Sequence, residues 1–243
     1  MKVLLRKIHP TECREFSLSL KGHVDYTKVL LSITRKLLVN GDCLTEKECD
    51  VRKFAYLKVY IDKQKRVFVY LSTNKYYSME YPYNVNTSID NKVLSVYTTT
   101  GIECSFKRIS DAVSILNSVK SNSIIDVYES RDEEDDNIDI ESYKMLEAFW
   151  ANEPSYIRYD YDEKNTNADM HPLHHLDVNM SKEGSYKIGL HGKLSPSAFE
   201  DIIDKKTDCF YLTKNSQPKA GMLDTGKLSS YKTTKSRKGN RRR

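Results

Sequence analysis

The hydrophobic period changes near residue 40, and that change restricts the chain to folds that mix helix with sheet. Val29, Leu30, Ile33, Leu37 and Leu38 recur at helical spacing, with Asp25 as N-cap and Asn40-Gly41 as the stop. Beyond them the runs 54–61 and 66–71 are rich in Tyr, Val and Phe, and the polar residues 62–65 between them read as a hairpin turn. Further strand-like runs cover 75–81, 93–98, 102–106 and 124–128, then 156–162, 174–180 and 186–191. Helices are expected over 110–119 and 140–150. A last one starts at Ser195-Pro196, where the hydroxyl caps and the proline suits the first turn. Strands in succession with helices set apart imply an α+β fold: a largely antiparallel sheet, three to four helices and a basic, flexible C-terminal tail.

The tail follows from where the charge sits. The whole chain of 243 residues carries +5, but residues 214–243 hold ten basic side chains against one acid, or +9, which leaves −4 for residues 1–213. A stretch so poor in apolar groups buries too little surface to offset the entropy of ordering, so it is expected to be mobile when free. Lys227, Lys232, Lys235, Arg237, Lys238, Arg241, Arg242 and Arg243 are the candidate phosphate contacts, since each neutralised phosphate releases counterions. A plain solubilising end is the other reading of the same composition. The expected organisation is one α+β domain over 1–213, or a division into 1–130 and 137–213 around the acidic run 132–136, followed by the tail at 214–243.

Several function classes are set aside at this level. No segment approaches the roughly 20 apolar residues of a membrane span, and the apolar run after Met1 is too short for a signal peptide, so a cytoplasmic protein is expected. Cys13, Cys43, Cys49, Cys104 and Cys209 are odd in number and form no C-x-x-C pair, which argues against a disulfide framework or a zinc ribbon. Neither G-x-x-x-x-G-K-[ST] nor G-x-G-x-x-G occurs, so no nucleotide-cradling loop or cofactor is expected. Ser195 lacks a G-x-S-x-G elbow and reads as a cap. Tyr76, Tyr77, Tyr81 and Tyr83 fit either a base-stacking platform or a β core, the core being the commoner use.

Chemistry concentrates in YIRYDYD at 156–162 and HPLHHLDV at 171–178. As a strand, the first puts Arg158, Asp160 and Asp162 on one face and Ile157, Tyr159 and Tyr161 on the other. If the second pairs with it apolar face to apolar face, His175 and Asp177 share a surface with Arg158 and Asp160. Four of the six histidines lie between His171 and His191, and imidazole titrates near neutrality. Cleavage of RNA by its own 2′-OH needs a base, an acid and a cation over the phosphorane. His171, His175 and Arg158, with Asp160 as orienting carboxylate, supply these without metal. Two competing readings are a structural Arg158–Asp160 ion pair and a metal set of His171, His174, His175 and Asp177, although Pro172 breaks any helical zinc motif through His171.

These residues also resemble a bacterial family of uncharacterised proteins found near mobile elements and defence genes. Its pattern of R-[FY]-D-[FY]-D, then H-P-x-x-H-L, then P-L-[ST]-P is met here by Arg158 to Asp162, His171 to Leu176 and Lys193-Leu-Ser-Pro196, with Lys193 in place of the usual Pro. The likeness covers about 154–212. More loosely, the order of Arg, Asp and His is similar to that of RNA-cleaving toxins of toxin–antitoxin pairs. The resemblance implies a nucleic-acid-acting component of a prokaryotic defence system, most readily a metal-independent RNA-cleaving effector. The alternative is a non-enzymatic nucleic-acid-binding or adaptor subunit, with RNA favoured and an antitoxin or other protein as partner.

Overall fold

The computed structural model describes residues 2–17, 20–119, 121, 123–129, 138–167, 170–180, 186–204 and 207. The acidic run 132–136, Cys209 and all eight tail cations from Lys227 to Arg243 lie outside the described residues.

Seven strands form one antiparallel sheet: β1 (Val3–Lys7), β2 (Tyr56–Tyr60), β3 (Arg66–Ser72), β4 (Lys75–Glu80), β7 (Ile157–Tyr161), β8 (His174–Val178) and β9 (Tyr186–Leu190), side by side in that order. A separate hairpin pairs β5 (Asn84–Thr87) with β6 (Val93–Tyr97). The helices are α1 (Cys13–Phe16), α2 (His23–Val39), α3 (Phe106–Ser118), α4 (Ile124–Glu129), α5 (Ile140–Trp150) and α6 (Pro196–Ile203). The α+β class with a large antiparallel sheet is as expected. The four expected helices are α2, α3, α5 and α6, and two short ones are added. No described helix is long and apolar enough to cross a membrane.

The central strands are buried on both sides, which is why they read as continuous apolar runs rather than alternating ones. Leu57, Val59, Val67, Val69, Tyr77 and Met79 pack with Leu30, Ile33, Leu37, Ile109, Leu116, Leu146 and Phe149 from α2, α3 and α5. The alternate residues Tyr56, Tyr60, Phe68, Tyr70 and Tyr76 face the other way and pack with Phe199 of α6. Strands β7 to β9 extend this sheet through the β4–β7 pairing, so Tyr77 lies opposite Arg158 and Tyr76 opposite Tyr159. Buried Arg66 fixes the start of β7: its Nε donates to Ser78 Oγ at 2.7 Å and its Nη1 to Ser155 Oγ at 3.1 Å. Burial pushes its pKa down to about 10, with Glu80 and Tyr26 acting in the opposite direction. Tyr76, Tyr77, Tyr81 and Tyr83 are all core residues.

Three local expectations are corrected. Residues 124–128 form helix α4 rather than a strand; only Val127 of α4 is buried, and Tyr128 bonds Glu147 on α5, so this segment docks beside a helix with no sheet edge to join. Residues 102–106 make a single bridge, Tyr97 with Glu103, because Ser105 accepts from Arg108 N and starts α3 there. The N-cap of α2 is Gly22, while Asp25 lies in the first turn and accepts from Lys21 N at 3.0 Å. Strands β1 and β5 are additions: β1 pairs with β2 some fifty residues on, and that separation has no local signature.

Candidate functional site

The pairing of β7 with β8 sets Arg158 opposite Asp177 and Asp160 opposite His175, and β9 brings Lys187 opposite Asp177. The four residues expected to share one polar surface therefore do so. Arg158 Nε lies 2.6 Å from Asp160 Oδ2, and its Nη2 donates to Asp177 Oδ2. Lys187 Nζ donates to Asp177 Oδ1 at 2.6 Å and approaches His175 Nε2 at 3.3 Å. Asp177 and His175 are each 1% exposed, and the Arg158 side chain 12%. Burial opposes charge on Arg158, but Tyr156, Asp160 and Asp177 outweigh it and raise its pKa. Burial in turn pushes the Tyr156 phenol up to about 12, with Arg158 pulling the other way.

His175 is oriented from the loop that precedes it. Its Nδ1 lies 2.8 Å from Pro172 O. A carbonyl only accepts, so Nδ1 carries the proton and the neutral ring turns the Nε2 lone pair to Lys187. Pro172 reaches this position because β9 has a glycine beneath it; a Cβ at Gly189 would meet Pro172 Cγ at 2.9 Å. Burial lowers the His175 pKa most strongly and Lys187 adds to this, while the Pro172 carbonyl, Asp177 and Asp160 oppose it.

The sign of the resulting pH effect is definite. With the folded pKa below the unfolded value of about 6.5, the unfolded chain takes up the proton first, so stability is full above that value and falls as pH drops through it. Denaturation midpoints measured from pH 7.5 to 5 are expected to decline, with a shallower decline in His175→Gln. Equal declines in both proteins would show that His175 is not the titrating group. His174, whose pKa is also lowered, chiefly by burial, accounts for the part that persists.

His171 sits at the border of the cluster rather than inside it. Its ring meets that of His175 edge-on at 4.6 Å, and its Nε2 is 3.2 Å from Asp162 Oδ2. His174 points to the opposite face, where its Nδ1 is 2.8 Å from Tyr159 OH. The set of His171, His174, His175 and Asp177 therefore does not converge on a metal. Asp160, His175 and Asp177 do bring donor atoms within 4.8 Å of one another. Lys187 already contacts two of those three groups and Arg158 both carboxylates, so two cations balance two anions, and an ion entering would have to displace Lys187. As built, the network ties three strands together; both nitrogens of His175 are engaged, and its ring offers no open face to a ribose hydroxyl.

A second site was not visible in the sequence. Glu200 of α6 accepts from Lys58 Nζ at 2.8 Å, from Tyr60 OH at 3.1 Å and from Tyr70 OH. These partners are 130 to 142 residues away along the chain, so no spacing rule finds them. Lys58 and Glu200 line a cleft of about 750 Å³ between the 46–52 segment and the start of α6, with Tyr56, Leu194, Arg52 and Lys193 among its walls. Ser195 lines the same cleft as a helix cap, accepting from Ala198 N at 3.1 Å. Cys49 is no thiolate nucleophile there, because burial pushes its thiol up to about 11. Searched against protein-family models, curated proteins and solved structures, the chain matches none, and its chemistry rests on the geometry above.

Proposed function

We propose that the chain is a nucleic-acid-binding, non-enzymatic component of a prokaryotic defence or toxin–antitoxin system, acting in the cytoplasm, with RNA as its preferred ligand. One observation carries the choice of binding over cleavage: Arg158, Asp160, His175, Asp177 and Lys187 satisfy one another, with His175 and Asp177 1% exposed. A general base for the 2′-OH needs an accessible lone pair within hydrogen-bond reach of substrate. The lone pair of His175 faces Lys187. The affinity is assigned instead to the sequence that holds +9 in thirty residues, 214–243. The defence setting rests on the family resemblance.

The test is fluorescence anisotropy of the full chain with a labelled 30-nucleotide single-stranded RNA over a salt series. If the eight cations from Lys227 to Arg243 each neutralise one phosphate, log K against log salt has a slope of about −5 to −6. Replacing all eight with Gln in the full-length chain is expected to remove most of that slope and most of the affinity. An unchanged slope would take the tail out of the reading. RNA cleavage by the native chain that is abolished in a normally folded His175→Ala variant would overturn the non-enzymatic assignment and restore a ribonuclease.

A further inference from the structure

We infer that the body carries its own single-strand path, on the sheet face opposite the Arg158 network: one base stacks at Tyr161 and His174, its phosphate meets Lys193, and the strand runs on into the cleft beside Leu194. This deepens the nucleic-acid reading above and rests on it. The first support is an aromatic ladder across five strands. Tyr56 stacks on Tyr70 at 4.7 Å, Tyr70 meets Tyr76 at 5.8 Å, and Tyr76 stacks on Tyr159 at 4.7 Å. Tyr159 then stacks on His174 at 6.2 Å, and His174 meets Tyr161 at 5.0 Å. The inner members are buried, so the ladder is rigid, whereas His174 and Tyr161 at its outer end are only half-buried. A rigid ring at a rim offers stacking at little entropic cost, and every base has a π-face to accept it.

The second support is the state of the cations. Arg52 is held by Asp50 at 2.8 Å and Lys58 by Glu200 at 2.8 Å, so neither is free for a ligand without losing a carboxylate. Lys193 differs: it is exposed, its Nζ donates to the neutral Asn74 Oδ1 at 3.2 Å, and no carboxylate lies within 4.0 Å of it among the described residues. It lines the cleft, and its charge also bears on His174. An exposed cation with no carboxylate within reach among the described residues, set between a stacking rim and a cleft, suits a phosphate flanked by two bases. The cleft volume of about 750 Å³ accommodates one nucleotide unit.

The experiment uses the full chain and a labelled hexauridylate, short enough to report the path on the body. Lys193→Gln is expected to reduce the salt slope by about 0.7, the value for one phosphate of a single strand. Tyr161→Ala should weaken binding about tenfold, as for loss of one stacked base, and Tyr161→Phe should leave it unchanged. The Tyr161→Phe arm guards against a folding artefact because it keeps the ring. If the tail-neutralised variant loses the hexamer while Lys193→Gln and Tyr161→Ala bind it as the native chain does, the path is wrong and the nucleic-acid reading survives. If the native chain binds neither the hexamer nor the 30-nucleotide RNA, both fail.

Discussion

Asp177→Ala is expected to lower the unfolding free energy by about 3–5 kcal/mol, the usual cost of breaking a buried ion pair from one side. The carboxylate is 1% exposed and accepts from both Arg158 Nη2 and Lys187 Nζ. Its loss leaves Arg158, 12% exposed, with Asp160 as its remaining carboxylate, and leaves Lys187 facing the lone pair of His175. Lys187 is 29% exposed and regains water, so the Arg158 side of the network dominates the cost. Because the three residues come from three adjacent strands, the damage should fall on β7 to β9, and amide exchange there should accelerate more than in β2 and β3. Urea denaturation of the full chain provides the number. A change below about 1 kcal/mol would mean that the network is a bystander to strand pairing.

Phe199→Ala should be comparably severe, at about 3–5 kcal/mol. Helix α6 spans only eight residues, too few to be stable alone, so its position depends on what it buries. Phe199 is fully buried, edge-on to Phe68 at 6.1 Å and to Tyr76 at 5.1 Å. The adjacent Glu200 takes its three donors from β2 and β3, so removal of the ring also loosens the alignment of that carboxylate. Phe199→Leu, which keeps most of the apolar volume, should cost less than about 1.5 kcal/mol. If Phe199→Ala and Phe199→Leu prove equally mild, α6 is held by Glu200 and not by the aromatic contact.

Much of the candidate site was legible. Alternation in YIRYDYD and HHLDV assigned the faces, and one assumption, that the apolar faces pair together, put Arg158, Asp160, His175 and Asp177 on one surface. The pairing of Arg158 with Asp177 and of Asp160 with His175 agrees with it. What the spacing left out was the cation that closes the network. Lys187 sits on the third strand of the set, and its role depends on the β8–β9 register, which places it opposite Asp177. The direction of His174 was also open; in the fold its ring stacks with that of Tyr159 and lies tilted against that of Tyr161.

The sequence alone determined the fold class, because a helical period followed by β-rich runs can only be buried by layering helices on a sheet. It also determined the uneven charge, +9 in the last thirty residues against −4 before them. The tertiary structure decided whether the Arg/Asp/His residues are exposed or mutually satisfied. Burial and cross-strand partners are set by register and by what packs above the strands, and neither is encoded in the spacing of one segment. It likewise decided that Lys58, Tyr60, Tyr70 and Glu200 meet, since that contact joins residues up to 142 apart.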